Sequence, residues 1–156
     1  MTVVAEAQLG RTPTMAAVTP DDREVFVSLF GERAVAVLDA QMVESGRLQA
    51  IDTIPVGERP AQVAVTLDNR YALVPCEGPG ALFVIDRAGH RVVAEIPTGR
   101  RAHGVAAASD SRRAFVTNWD DANVSVVDLE RRAVIASIQV GEAPAGVDYV
   151  PAPREP

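Results

Sequence analysis

The chain has 156 residues, is 47% apolar and 4% aromatic, and carries a formal net charge of −6. That is one domain's length with enough aliphatic residues for a core, and no apolar run approaches the roughly 18 residues of a membrane-spanning helix. The acidic balance argues against non-specific nucleic-acid binding, the all-arginine basic set excludes Schiff-base or phosphate-loop lysine chemistry, and a lone Cys76 allows neither an internal disulfide nor a thiolate metal cluster.

From the start of the chain, residues 1–10 lack the basic start and apolar stretch of an export signal. Residues 3–10 (VVAEAQLG) instead match residues 92–99 (VVAEIPTG) almost letter for letter and read as a strand. The chain then repeats itself at offsets of 47 and 42 residues. These offsets superpose Asp21, Asp68 and Asp110; Phe26, Leu73 and Phe115; Asp39, Asp86 and Asp128; and Gly57, Gly99 and Gly141. A period of this length with strand-type patterning marks a propeller or solenoid.

The third repeat shows the unit most plainly. Residues 103–108 are apolar and end in a Ser109–Arg112 turn cluster, residues 114–117 are β-rich, and Trp119, Asp120, Asp121 and Ala122 break them. Residues 123–128 and 132–140 alternate as two further strands, closed by Gly141. Each repeat therefore reads as four short antiparallel strands. Repeat one carries extra residues at Met42, Val43, Glu44, Ser45 and Gly46, read as a longer outer hairpin. Gly10, Gly57, Gly99 and Gly141 stand three residues before Pro13, Pro60, Ala102 and Pro144. The glycine is expected to permit a sharp change of direction between blades, and the proline to stiffen entry into the next strand.

The predicted architecture is all-β. A single domain spans residues 1–150, with repeats at about 11–57, 58–99 and 100–141, half-blade strands at 3–9 and 144–150, and a tail at 151–156. Fourteen strands make about three and a half four-stranded antiparallel blades, short of the roughly four to eight of a closed propeller. Three readings follow: a piece of a longer propeller, a homo-oligomer that completes a ring, or a lone arc. Columns Phe26, Leu73, Phe115 and Val37, Val84, Val126 should be buried between sheets, since they alternate with polar neighbours at the strand period.

Candidate chemistry is sparse. Asp39, Asp86 and Asp128 recur at a strand end, as turn caps do and catalytic groups do not. His103 opens an inner strand, where Thr14 and Ala61 hold the equivalent places, so no second histidine joins it as a metal site needs. Asn118, Trp119, Asp120 and Asp121 form the most polar inter-strand loop; an acidic turn is the ordinary reading, and the spacing matches no fixed calcium loop. Glu77, Gly78, Pro79 and Gly80 read as a turn, and His90 lies in an outer-hairpin turn away from any channel. No catalytic set and no metal site can be drawn, so the ligand-binding candidates are His103, Asn118, Trp119, Asp120 and Asp121.

The run Phe115-Val116-Thr117-Asn118, then residues 123–128 (NVSVVD), 134–141 (VIASIQVG) and 143–147 (APAGV), resembles the YVTN-type β-propeller repeat of bacterial propellers. That family is in turn similar to the propellers of cytochrome-cd1-type nitrite reductases and periplasmic quinoproteins. The resemblance covers nearly the whole chain and implies a propeller fold. It also implies an extracytoplasmic setting if the true start lies upstream, and a histidine at the His103 position that can face the channel and, in some relatives, approach haem or metal. Two functions stay open. One is a non-catalytic module, without a cofactor, that binds a protein or surface ligand through inter-strand loops and self-associates through exposed blade ends. The other is a redox or metal/haem-associated propeller enzyme or accessory.

Overall fold

The computed structural model describes residues 2–46 and 48–150; the tail predicted at 151–156 lies outside the described residues. Among the described residues twelve strands build three antiparallel sheets of four, each in sequential order. Blade 1 holds β1 (Pro13–Val18), β2 (Glu24–Leu29), β3 (Ala34–Asp39) and β4 (Ala50–Pro55). Blade 2 holds β5 (Ala64–Val65), β6 (Tyr71–Cys76), β7 (Ala81–Asp86) and β8 (Arg91–Pro97). Blade 3 holds β9 (Ala102–Ala107), β10 (Arg113–Asn118), β11 (Asn123–Asp128) and β12 (Ala133–Gln139). The extra residues of repeat one lengthen the outer hairpin between β3 and β4, as expected. They form a 3-10 helix, Ala40–Ser45, opened by the Asp39 carboxylate on the Gln41 N–H and closed by Gly46 at φ 70°.

The sequence period reappears in the backbone. A bulge interrupts the third ladder of every blade at the same register position, after Val37, Val84 and Val126. Asp39, Asp86 and Asp128 each accept a turn N–H, from Gln41, Gly89 and Arg131, as caps should. The blade junctions differ from expectation. Gly10, Gly57 and Gly99 do not hold the left-handed conformation; Thr12, Arg59 and Arg101, two residues later, do, at φ 54–56°. The glycines serve close packing instead. A Cβ on Gly57 would meet the Phe83 ring at 2.7 Å, and one on Gly99 would meet the Asn118 side chain at 2.5 Å.

The core is two inter-blade layers and one flank. Between blades 1 and 2 lie Phe26, Val35, Val37 and Ile54 against Ala72, Val74, Phe83 and Ile85. Between blades 2 and 3 lie Leu73, Leu82, Val84 and Ile96 against Ala114, Val116 and Val127. Each fully buried side chain of this size is worth about 1.5–3 kcal/mol. Of the predicted columns, Phe26, Leu73, Val37 and Val84 are buried between sheets; on blade 3, where no further sheet packs among the described residues, Val126 is buried and Phe115 half-buried.

Residues 2–9 and 144–150 join no ladder, so the half-blades of the sequence reading are seated segments and not paired strands. A single inner or outer strand has no adjacent strand of its own blade to pair with. Their seats nevertheless follow the repeat. Ala7 and Leu9 pack on the outer flank of blade 1, as Ile54 and Val56, their register equivalents, pack on blade 2. The Ser28 hydroxyl donates to the Ala61 carbonyl at 3.0 Å, and Thr117 repeats the contact on Ala145 at 3.3 Å.

Candidate functional site

The blade junction sets the site. In blades 2 and 3 the residue with left-handed backbone before the inner strand is an arginine, Arg59 and Arg101. Each junction is tied to the turn between the second and third strands of its own blade: the Glu77 N–H donates to the Arg59 carbonyl and the Trp119 N–H to the Arg101 carbonyl, both at 3.1 Å. Phe30, Glu77 and Trp119 share one register position, as do Thr14, Ala61 and His103. The repeated junction and inner-strand positions thus bring three side chains, Arg59, Arg101 and His103, onto Glu77.

Glu77 is the centre. Its side chain is only 3% exposed. Its Oε1 lies 2.8 Å from His103 Nδ1, and its Oε2 lies 3.4 Å from Arg101 Nε and 3.9 Å from Arg59 Nε. A buried carboxylate needs such partners, because desolvation without them costs several kcal/mol. The contact with Glu77 fixes the proton on Nδ1 of His103 and leaves Nε2 for another group. Trp119 meets His103 edge to face, ring centroids 5.4 Å apart, and the Arg101 guanidinium sits 4.9 Å from the Trp119 ring centre.

Beside this cluster opens a cleft of about 830 Å³ between blades 2 and 3, lined by Arg59, Glu77, Arg100, Arg101, Asp120 and Asp121 among others. Asp121 closes its rim by accepting the Arg100 backbone N–H at 2.7 Å and its Nε–H at 2.6 Å. Those two bonds, the backbone one first, hold the Asp121 carboxyl below the ordinary range. Asp120 is exposed, and its carboxylate lies 3.8 Å from Arg101.

The structure therefore brings His103, Trp119, Asp120 and Asp121 to one cleft and its margin, and removes Asn118 from it. Asn118 ends β10 fully buried, donating to Asn123 at 2.6 Å and Ser125 at 2.9 Å; it braces the sheet and offers nothing to a ligand. Glu77, Arg59 and Arg101 were not singled out as ligand groups by the sequence, although the repeat offsets place all three beside His103 and Trp119. Burial pushes the Cys76 thiol up to about 12, which keeps it protonated. Among the described residues no three His, Cys, Asp or Glu side chains are grouped to hold a metal.

On the opposite end of the sheets a second polar cluster joins blades 1 and 2. Arg87 reaches Glu24 at 2.6 Å and Asp21 at 2.9 Å, and His90 stands between Glu24 at 3.0 Å and Asp52 at 3.1 Å. Its members clamp two blades together, which accounts for His90 structurally.

Solved structures share this architecture. The chain is similar to Kuenenia stuttgartiensis hydrazine synthase (20% identity, TM-score 0.78, covering 89% of this chain and 40% of that one). It is also similar to the WD40 repeats of RRP9 (19%, 0.77, 90% and 43%). A third likeness is to a functionally unknown protein from Desulfotomaculum acetoxidans (17%, 0.68, 86% and 44%). The chain thus spans less than half the length of each, and at these identities the likeness shows the fold. No curated protein matches it. The family model described as YNCE-like beta-propeller matches residues 3–154, so the chain with this three-bladed arc belongs to the YNCE-like β-propeller family.

Proposed function

We propose that the chain is a non-catalytic propeller module that binds a protein or surface ligand in the cleft between blades 2 and 3. The observation that carries this reading is the Glu77 cluster, with partly exposed Arg59, Arg101, His103 and Trp119 set around one buried carboxylate beside an open cleft. Arginine and tryptophan on rigid strand ends are the side chains that dominate binding energy at interfaces, and a propeller holds such loops on a stiff scaffold. The likeness to WD40 propellers is compatible with that use. Within the propellers, the YVTN-type repeat is the finer assignment, resting on residues 115–118 and 123–128. The net charge of −6 disfavours nucleic acid as the partner.

The test is a capture from a lysate of the source organism with wild-type chain, Trp119→Ala and Arg101→Ala as parallel baits. A partner held by wild type and lost with both variants supports the cleft. Equal retention by all three overturns it. A second reading, a haem- or metal-associated propeller, draws on His103 Nε2, which Glu77 leaves free on an innermost strand. Haem or metal titration of the pure chain with an absorbance change abolished by His103→Ala would favour it over the first.

A further inference from the structure

At each blade junction one residue lies against the turn between the second and third strands. These are Arg11, Glu58 and Arg100, whose carbonyls accept from the N–H groups of Gly31, Gly78 and Asp120 respectively. The next residue of that turn is Glu32 in blade 1, Pro79 in blade 2 and Asp121 in blade 3. The two carboxylates do the same thing. Glu32 accepts the Arg11 backbone N–H at 2.7 Å with the Arg11 guanidinium 3.8 Å away. Asp121 accepts the Arg100 backbone N–H at 2.7 Å and its Nε–H at 2.6 Å. The repeat thus sets a carboxylate beside an arginine at two junctions, and at the one between them, where Arg59 follows Glu58, Pro79 supplies none.

The guanidiniums next to Pro79 are correspondingly uncommitted. Arg59 comes no nearer to Glu77 than 3.9 Å, past hydrogen-bond reach, and its side chain is 52% exposed. Arg101 makes charge contacts at 3.4 Å to Glu77 and 3.8 Å to Asp120, and its Nε is buried with no hydrogen-bond partner among the described residues. A buried N–H without an acceptor costs free energy that an incoming acceptor removes. Both arginines lean on one oxygen, Oε2 of the buried Glu77, and one oxygen cannot fill two guanidinium forks. Arg59, Pro79 and Arg101 all line the cleft. A planar, singly charged carboxylate fits a guanidinium fork, whereas Glu77, Asp120 and Asp121 in the same cleft would repel a doubly charged phosphate more strongly.

We propose that the cleft takes a carboxylate side chain from an acidic segment of a partner protein, held by Arg59 and Arg101. This rests on the reading of the cleft as a binding site and names the chemistry that occupies it. The net charge of −6 repels an acidic segment from the rest of the surface, so the paired arginines decide where it binds. Both blades that form the cleft lie within the described residues, so the site is independent of what packs at either end of the arc.

Fluorescence anisotropy of a labelled poly-glutamate peptide, titrated with the full chain at low salt, tests this. Poly-glutamate should bind, and added salt should weaken it; poly-glutamine should not bind. Arg59→Gln and Arg101→Gln should each lower the affinity at least about tenfold. Arg132→Gln, exposed in the outer turn of blade 3, should bind as wild type does. Arg101→Lys keeps the charge and loses the fork; it should also bind more weakly, and it replaces Arg101→Gln if that variant melts differently from wild type. No binding of poly-glutamate, or wild-type affinity in folded Arg59→Gln and Arg101→Lys proteins, would overturn the proposal. So would equal competition by phosphate or free glutamate, which would make this a site for small anions. If poly-glutamate fails while a lysate partner is still lost with Trp119→Ala, the cleft remains a binding site and only the carboxylate assignment falls.

Discussion

Blades 2 and 3 are the same unit in two situations. Blade 2 is covered on both faces, and blade 3 on one. Ile96 and Ile138 occupy one register position on their outer strands, yet the first is buried and the second half-exposed; Leu73 and Phe115 differ in the same way. Strand pattern made these residues apolar in both blades. A neighbour, present or absent, decides whether that apolarity stabilises the fold. A propeller blade is thus a two-faced element whose stability depends strongly on its partners, as the nearest-neighbour character of repeat proteins requires.

Truncation should expose this asymmetry most strongly. Leu73→Ala removes a fully buried side chain from the layer between blades 2 and 3 and should cost about 2–5 kcal/mol, read as a lower midpoint in urea unfolding. Phe115→Ala, at the equivalent position of blade 3, removes a half-buried ring stacked on Tyr149. It should cost about 1 kcal/mol in dilute solution. Equal costs would mean that the open face of blade 3 is covered in the monomer.

The turns give a smaller contrast. Gly80 and Ala122 share one register position and one left-handed backbone, at φ 66° and 52°. A Cβ on Gly80 would also meet the Gly99 carbonyl oxygen at 2.5 Å. Gly80→Ala should therefore destabilise by about 1–3 kcal/mol. Ala122→Gly should leave stability unchanged or raise it by about 0.5–1 kcal/mol, because glycine relieves the strained backbone. Thermal melts of the two variants should move in opposite directions or only the first should move.

The smallest effect lies at the junctions. Asp121 accepts the Arg100 N–H on entry to blade 3, whereas Pro79 stands at the matching place in blade 2 and accepts nothing from Glu58. Because the folded-state pKa of Asp121 is lowered, its contribution is present above the unfolded value, near 3.8, and lost as pH falls through the lower folded value. Asp121→Asn should flatten the decline of stability with acid below about pH 4. An acid limb unchanged in Asp121→Asn would show that the bonds to Arg100 contribute no stability above that range.

Much of the blade was legible in the chain. Strand periodicity, the recurring aspartates and the β-turn clusters are local features, and a residue's preference for a strand or a turn is expressed within a few neighbours. The junction glycines show where that stops. By sequence Gly57 and Gly99 read as turn residues because glycine commonly is one, but their role is to admit the Phe83 ring and the Asn118 side chain, 26 and 19 residues further along the chain. Asn118 likewise reads as part of the polar loop beside it, but the ladder continues through Asn118 and buries it.

What the sequence by itself determined is the repeating unit: four strands, their turns and the apolar columns, because period-two alternation and turn chemistry act over short distances. Tertiary structure decided everything that depends on which blade lies next to which. It gathered Arg59, Glu77, Arg101 and His103 within one contact shell. It closed one flank with residues of the chain's own beginning and left the other apolar and open. The physical reason is that burial and ion pairing are properties of pairs of surfaces, and the pairing of blades is fixed only when the arc is formed.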